Sequence, residues 1–322
     1  MSTLIEQAAE RLAQLRQAGA LTQESSLGAA HTADPGRPEA AQPGVVRPVP
    51  TVIAAVAKPK VVEASAPAPT ITSKRIDLDL VALDKIGIIT PNAPRSHKAD
   101  QYRVIKRPLI KNAMGQGAAP LKHGNLIMVT SAVAGEGKSF TSVNLAMSIA
   151  AEMDNTVMLV DADVSRPSVL RMLGLPPGPG LLDLLESSAD MSDVLLRTNV
   201  DKLTILPSGR QHARATELLA SDAMRQLLDD MATRYPDRII IFDSPPLLLT
   251  TESRVLATHM GQIVIVVHAG KTLQADVQHA LSTIETCPVK MMLLNQARTD
   301  SGTGYGYGYG YGYGYGAEPE KA

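Results

Sequence analysis

The segment Leu126-Ile-Met-Val-Thr-Ser-Ala-Val-Ala-Gly-Glu-Gly-Lys-Ser139 constrains the fold more than any other stretch of the chain. Residues 126–130 are apolar or β-branched and read as a buried strand. Helix-forming residues then run from Ser139 to Met153. A strand, a glycine-bearing loop and a helix in that order form the context a phosphate-binding loop needs. Gly135 and Gly137 let the backbone turn its N–H groups toward a phosphate, and the start of the helix adds its positive end. Lys138 reaches the β- and γ-phosphates of a nucleoside triphosphate, and the Ser139 hydroxyl suits Mg2+. Ala134, Glu136 and Phe140 complete the expected nucleotide-contacting set around these residues. Ala132 stands where such loops carry their first glycine, but the Gly-x-Gly-Lys-Ser end is intact.

A Gly-rich turn with an incidental lysine is the alternative, and two acidic motifs weigh against it. The apolar run Val157–Val160 ends in Asp161-Ala-Asp163-Val-Ser-Arg166-Pro167. Ile239–Phe242 ends in Asp243-Ser-Pro-Pro246. Carboxylates at strand ends are hard oxygen ligands of the kind Mg2+ takes. Ser139, Asp161, Asp163 and Asp243 are therefore the expected metal set, and Lys138 with the three aspartates the expected catalytic set. A tyrosine hydroxyl titrates near pH 10, so it needs a carboxylate or metal to act as a nucleophile at neutral pH. Asp161 or Asp163 is the candidate base, and the other would serve the metal.

Around these motifs the pattern alternates. Further strand-like runs are Leu203–Leu206, Ile263–Val267 and Met291–Leu294, and further helical patterns are Glu217–Tyr235, Ser253–His259 and Leu273–Ile284. Continuous apolar strands separated by helices imply an α/β fold, a mostly parallel sheet with helices on both faces. The expected domain covers residues 71–300. In its first part, Ile76, Leu78, Leu80, Val81 and Leu83 could form a small element packed on the main domain.

Outside that domain, residues 1–19 read as an amphipathic helix with Thr3 and Glu6 at capping-box spacing. Residues 20–70 are rich in Ala and Pro and hold no aromatic residue, so they read as a disordered linker. Residues 301–322 read as a flexible tail, in which Gly and Tyr alternate from Gly304 to Gly316. Six of the eight tyrosines lie there, at positions 305, 307, 309, 311, 313 and 315. With no Trp and two Phe, the core must come from aliphatic side chains and Met.

Composition removes several classes of function. A net charge of −1 without a basic stripe argues against nucleic-acid binding. No run reaches the roughly 18 apolar residues of a membrane helix. A single cysteine, Cys287, fits a reducing cytosol. The expected location is cytoplasmic, with recruitment to the inner membrane only through a partner.

The phosphate loop ending in Lys138-Ser139, the Asp161-Ala-Asp163 motif, Phe-Asp243-Ser-Pro-Pro and the tyrosine cluster together resemble the bacterial tyrosine kinases over roughly residues 95–316. Members carry an arginine four residues after the first aspartate of the second motif; here Ser165 takes that place and Arg166 follows. The resemblance implies a P-loop NTPase fold, ATP and Mg2+, and phosphorylation of Tyr305, Tyr307, Tyr309, Tyr311, Tyr313 and Tyr315 by the chain itself. It also implies an adenine contact by Asn295 and an activating helix over about 97–112. In that helix Asp100, Arg103 and Lys106 would contact a neighbouring subunit and build a ring. A membrane polysaccharide co-polymerase as activator, a cognate tyrosine phosphatase and a role in exopolysaccharide synthesis and export are further implications. The rival is a positioning or partitioning ATPase without kinase activity. Such proteins carry a second lysine five residues before the loop lysine, where this chain has Val133.

Overall fold

The computed structural model describes residues 74–91, 95–234 and 237–297. The N-terminal helix, the linker and the Gly-Tyr tail expected from the sequence lie outside the described residues. In chain order the strands are β1 (Lys74–Ile76), β2 (Leu126–Ser131), β3 (Thr156–Asp161), β4 (Leu196–Thr198), β5 (Leu203–Leu206), β6 (Arg238–Asp243), β7 (Gln262–His268) and β8 (Val289–Asn295). They form one sheet in the order β1-β4-β5-β3-β6-β2-β7-β8. Every neighbouring pair is parallel except β4 and β5. The α/β class with a mostly parallel sheet is as the sequence indicates.

Parallel strands need crossovers, and the helices that make them cover both faces. Strand side chains alternate between two cores. Leu126, Met128, Met158, Val160, Ile240 and Phe242 point to one face, where α8 (Asp222–Arg234) brings Met224, Leu228 and Met231. Ile127, Val129, Val157, Leu159, Ile239 and Ile241 point to the other. There α2 (His97–Ala113) supplies Tyr102 and Leu109, and α3 (Lys138–Ala150) supplies Val143, Leu145 and Ile149. Burial pushes the Tyr102 hydroxyl up to about 12, so this tyrosine is a core residue with a poorly ionised phenol. Leu109 is fully buried in that layer. Leu109→Ala is expected to cost about 2–5 kcal/mol, read as a lower urea midpoint at unchanged m-value.

Local chemistry sets the helix ends. The Ser96 hydroxyl accepts from Ala99 N at 3.2 Å and starts α2 within a residue of the expected boundary. Asp79 caps α1 (Leu80–Lys85) by accepting from Val81 N and Ala82 N. Leu78 and Leu83 of this small element are buried as expected, but Val81 is 68% exposed because it falls on the outer face of the turn. The helix expected over Glu217–Tyr235 is two helices, α7 (Ala215–Leu219) and α8. Ser221 interrupts it: its hydroxyl donates to Leu218 O at 2.7 Å and accepts from Met224 N at 3.2 Å, so one chain turn ends and another is capped at the same residue. The remaining helices are α4 (Val169–Met172), α5 (Leu181–Leu185), α6 (Met191–Val194), α9 (Thr251–Ala257) and α10 (Gln274–Ser282). Among the described residues no helix is long and apolar enough to cross a membrane. Cys287 is free and buried.

Candidate active site

The carboxyl ends of β2, β3 and β6 meet at the centre of the sheet, where open α/β sheets place their ligands. β6 pairs on one side with β3 and on the other with β2, and Asp161 and Asp243 are directly paired positions. The strand register alone therefore brings together two acidic residues that lie 82 positions apart, 243 less 161.

The loop after β2 is shaped by its glycines. Gly135 and Gly137 have φ of +84° and +93°, a region that L side chains rarely adopt. A Cβ on Gly137 would stand 2.1 Å from the Asn295 side-chain amide nitrogen, so another residue there would have to push that amide off the loop and take up a strained φ. Above Gly135 there is open space. Gly137 caps α3, so the helix starts at the lysine with its free N–H groups directed out of the loop.

Glu136 holds the loop from inside. Its carboxylate accepts from Val133 N at 2.8 Å and from His268 N at 3.3 Å, and it also accepts from the Thr272 hydroxyl. Its carbonyl accepts from Asn295 Nδ2 at 2.9 Å. The Glu136 side chain is thus a brace and not part of the cleft wall. Asn295 sits beside the loop, with its side-chain amide engaged with that loop.

Lys138 and Ser139 line a cleft of about 540 Å³ together with Ala134, Gly135, Asp163 and Arg166. The Lys138 ammonium lies 2.7 Å from Asp163 Oδ2, while Asp163 Oδ1 accepts from Arg166 N at 3.1 Å. Asp243 accepts from the Ser142 hydroxyl at 3.1 Å and from the Ser168 hydroxyl at 3.4 Å. Its carboxyl is raised above the usual range by complete burial, against the pull of the Lys138 charge and of hydrogen bonds from Ser139 and Ser142. Asp161 uses Oδ2 to accept from Ser168 N and Val169 N, each at 3.0 Å. Its Oδ1 is buried and has no hydrogen-bond partner among the described residues. Burial first, then the neighbouring Asp243 charge, pushes the Asp161 carboxyl up to about 7.

An orphaned, buried carboxylate oxygen next to a second buried carboxylate is costly unless a cation joins it. The donors available are carboxylates and hydroxyls, which fits Mg2+. The expected set of three aspartates does not form a closed cage, however. Among the described residues no group of three or more His, Cys, Asp or Glu side chains converges on one ion position. Asp163 is turned to Lys138, and one oxygen of Asp161 caps the turn at Ser168, which explains the difference. Mg2+ usually keeps several waters and takes only one or two carboxylates plus phosphate oxygens.

Two other expected residues have side chains engaged inside the fold. The Phe140 ring points away from the cleft toward α2, where the Lys98 ammonium lies 5.5 Å from its centroid. Lys106 is buried, and its ammonium bonds Ser148 O and pairs with Glu152 at 2.6 Å, so it anchors α2 to α3 and is not free for a neighbouring subunit. Asp100 and Arg103 are paired with each other on the exposed side of α2. Ser142 and Ser168 were not singled out by motif. Ser142 lies one helical turn beyond Lys138, a spacing that could have marked it.

Residues 122–295 match the ParA family, described as NUBPL iron-transfer P-loop NTPases. The chain is 30% identical over 206 residues to tyrosine-protein kinase YwqD of Bacillus subtilis, which spans 64% of this chain and 83% of YwqD. It is 34% identical over 179 residues to tyrosine-protein kinase ptk of Acinetobacter johnsonii, but spans only 24% of that longer protein. Among solved structures it is similar to the VpsO kinase domain, with a TM-score of 0.51 and 26% identity, over 63% of this chain and all of that domain.

Proposed function

Because the chain belongs to the bacterial tyrosine kinases, a group within the ParA-type P-loop proteins, we propose that it transfers the γ-phosphoryl group of ATP to the tyrosines of its own Gly-Tyr tail. The observation that carries this reading is the convergence of Lys138, Asp163, Asp161 and Asp243 at one end of the sheet. Tyr305, Tyr307, Tyr309, Tyr311, Tyr313 and Tyr315 are the acceptors. Gly on either side of each tyrosine leaves its ring open, and thirteen residues from Gly304 to Gly316 reach about 40 Å when extended.

The loop amides and the start of α3 receive the phosphates. Lys138 exchanges Asp163 for a γ-phosphate oxygen, which frees the Asp163 carboxylate at the cleft wall. Asp163 is the base: it takes the phenolic proton as the tyrosine oxygen bonds phosphorus and the bond to the ADP oxygen breaks. Ser139, Asp161 and Asp243 would hold Mg2+, which would supply charge neutralisation to the transferring group. Asp161 Oδ1, without a hydrogen-bond partner among the described residues, is the oxygen that would face the ion. Ser142 and Ser168 orient Asp243.

The same reading includes a ring of subunits built through the exposed Asp100–Arg103 side of α2, activation by a membrane polysaccharide co-polymerase that draws the cytoplasmic chain to the inner membrane, reversal by a tyrosine phosphatase, and control of exopolysaccharide synthesis and export. Asn295 is the proposed adenine-side contact. Phosphorylation of all six tyrosines adds on the order of −10 charges to the tail and is expected to loosen the ring. Light scattering before and after ATP treatment reads this, and unchanged assembly would count against it.

Incubation with ATP and Mg2+ followed by mass spectrometry tests the activity. Phosphotyrosine is expected on the wild-type tail. A variant with all six tail tyrosines changed to Phe should bind ATP equally but gain no tail phosphate. ATP hydrolysis without phosphotyrosine would favour the positioning ATPase, a reading that the ParA-family match keeps open and that Val133 speaks against.

A further inference from the structure

We infer that the cavity beside the catalytic cleft binds a phosphotyrosine of the tail, the neighbour of the tyrosine being modified; this rests on the kinase reading above. The cavity has a volume of about 640 Å³ and lies between α4 and the turns around Pro177 and Gly209. Leu170, Leu175, Pro177 and Pro179 give it apolar walls, and Arg171 and Arg210 stand at its edge. It adjoins the catalytic cleft, because Arg171 lines both.

The two arginines differ in how they are held. Arg210 is anchored through Nε to Asp183 Oδ1 at 2.9 Å, yet its side chain stays 76% exposed. Arg171 is exposed, and its side chain has no hydrogen bond or ion pair among the described residues. A guanidinium left unpaired between two concavities, one of which receives a phosphoryl group, is placed for a second anion. Arginine binds phosphate through paired N–H groups, and prolines and leucines suit an aromatic ring. The two halves of the cavity together match phosphotyrosine better than they match an unmodified tyrosine or a free phosphate.

The tail sequence supplies the spacing. Gly-Tyr alternation has a period of two, so in an extended chain every tyrosine side chain points the same way. Successive tyrosines then stand about 7 Å apart. With one ring entering the catalytic cleft, the next faces the adjoining cavity. A tyrosine already phosphorylated would dock there and present its neighbour to Lys138 and Asp163. Each transfer then primes the next, and phosphates accumulate side by side on one tail.

Intact-protein and fragment mass spectrometry over a time course reads this directly. At partial modification the wild type should show neighbouring phosphates on the same molecule well above a random distribution. Arg171→Gln, compared at equal total phosphate, should return the pattern to random. A random pattern in the wild type, or clustering that survives Arg171→Gln, overturns the proposal. Absence of phosphotyrosine altogether would instead remove the kinase reading. A binding measurement separates the two. On full-length Lys138→Met protein, an acetyl-Gly-phosphotyrosine-Gly-amide peptide should bind about tenfold more weakly when Arg171 is also Gln, as expected for loss of a charge-assisted contact. Equal binding by the two proteins, or equal binding of the unphosphorylated peptide, refutes the site even if tail phosphorylation occurs.

Discussion

Lys138→Met should abolish tail phosphorylation, lowering its rate by about 10²–10³-fold or more, as removal of a preorganised charge at a transition state does. Methionine preserves much of the lysine stem and so keeps the packing at the start of α3. What it removes is the ammonium, whose side chain is only 13% exposed and which lies 2.7 Å from Asp163. Two consequences follow. The transferring phosphoryl group loses its fixed cation, and Asp163 and Asp243 lose a compensating charge. The second effect pushes the Asp243 carboxyl further toward the protonated form, and Asp163 loses the partner that holds it at the cleft wall. Phosphotyrosine yield after a fixed time with ATP and Mg2+ is the measure, with circular dichroism as the check on folding. A folded variant that retains a tenth of the wild-type rate would remove Lys138 from the mechanism.

The strands were legible because each is a short run of aliphatic residues, buried on both faces in the central strands and on one face in the edge strand β8. The six runs read from the sequence coincide with β2, β3, β5, β6, β7 and β8 to within two residues at each end. β1 and β4 were not legible. They are three residues each, carry polar side chains, and are held by pairing, β1 on β4 at the sheet edge and β4 on β5. α4, α5 and α6 are four or five residues long, below the length at which a 3.6-residue period can be read. The site shows the same division. Strand ends and loop glycines announced where Lys138, Asp161, Asp163 and Asp243 would lie. Which way a side chain turns was another matter. Glu136, Phe140 and Lys106 all turn inward because a tertiary partner more than 15 positions away claims them: His268 and Thr272, α2, and Ser148 with Glu152. Motif spacing carries no information about such partners.

Asp161→Asn should lose kinase activity and gain stability in the metal-free protein at alkaline pH. The Asp161 carboxyl is raised from 3.8 to about 7, chiefly by burial and then by Asp243. Between those values the folded chain keeps a proton that the unfolded chain has released, so the wild type loses stability as pH rises from about 4 to about 7. Above that range the full cost of the buried charge is present, on the order of 4 kcal/mol for a shift of this size. Asparagine keeps an oxygen to accept from Ser168 N and Val169 N but carries no charge at any pH. In chelator, the melting temperature of Asp161→Asn should therefore exceed the wild type's at pH 8, and the gap should close toward pH 4. A gap that does not change with pH would show that Asp161 is not the strained group. If it does change, the buried Asp161 charge beside Asp243 is a cost the fold carries without the ion and a divalent cation relieves. The pair is then a poor device for stability and a suitable one for holding Mg2+ against a triphosphate.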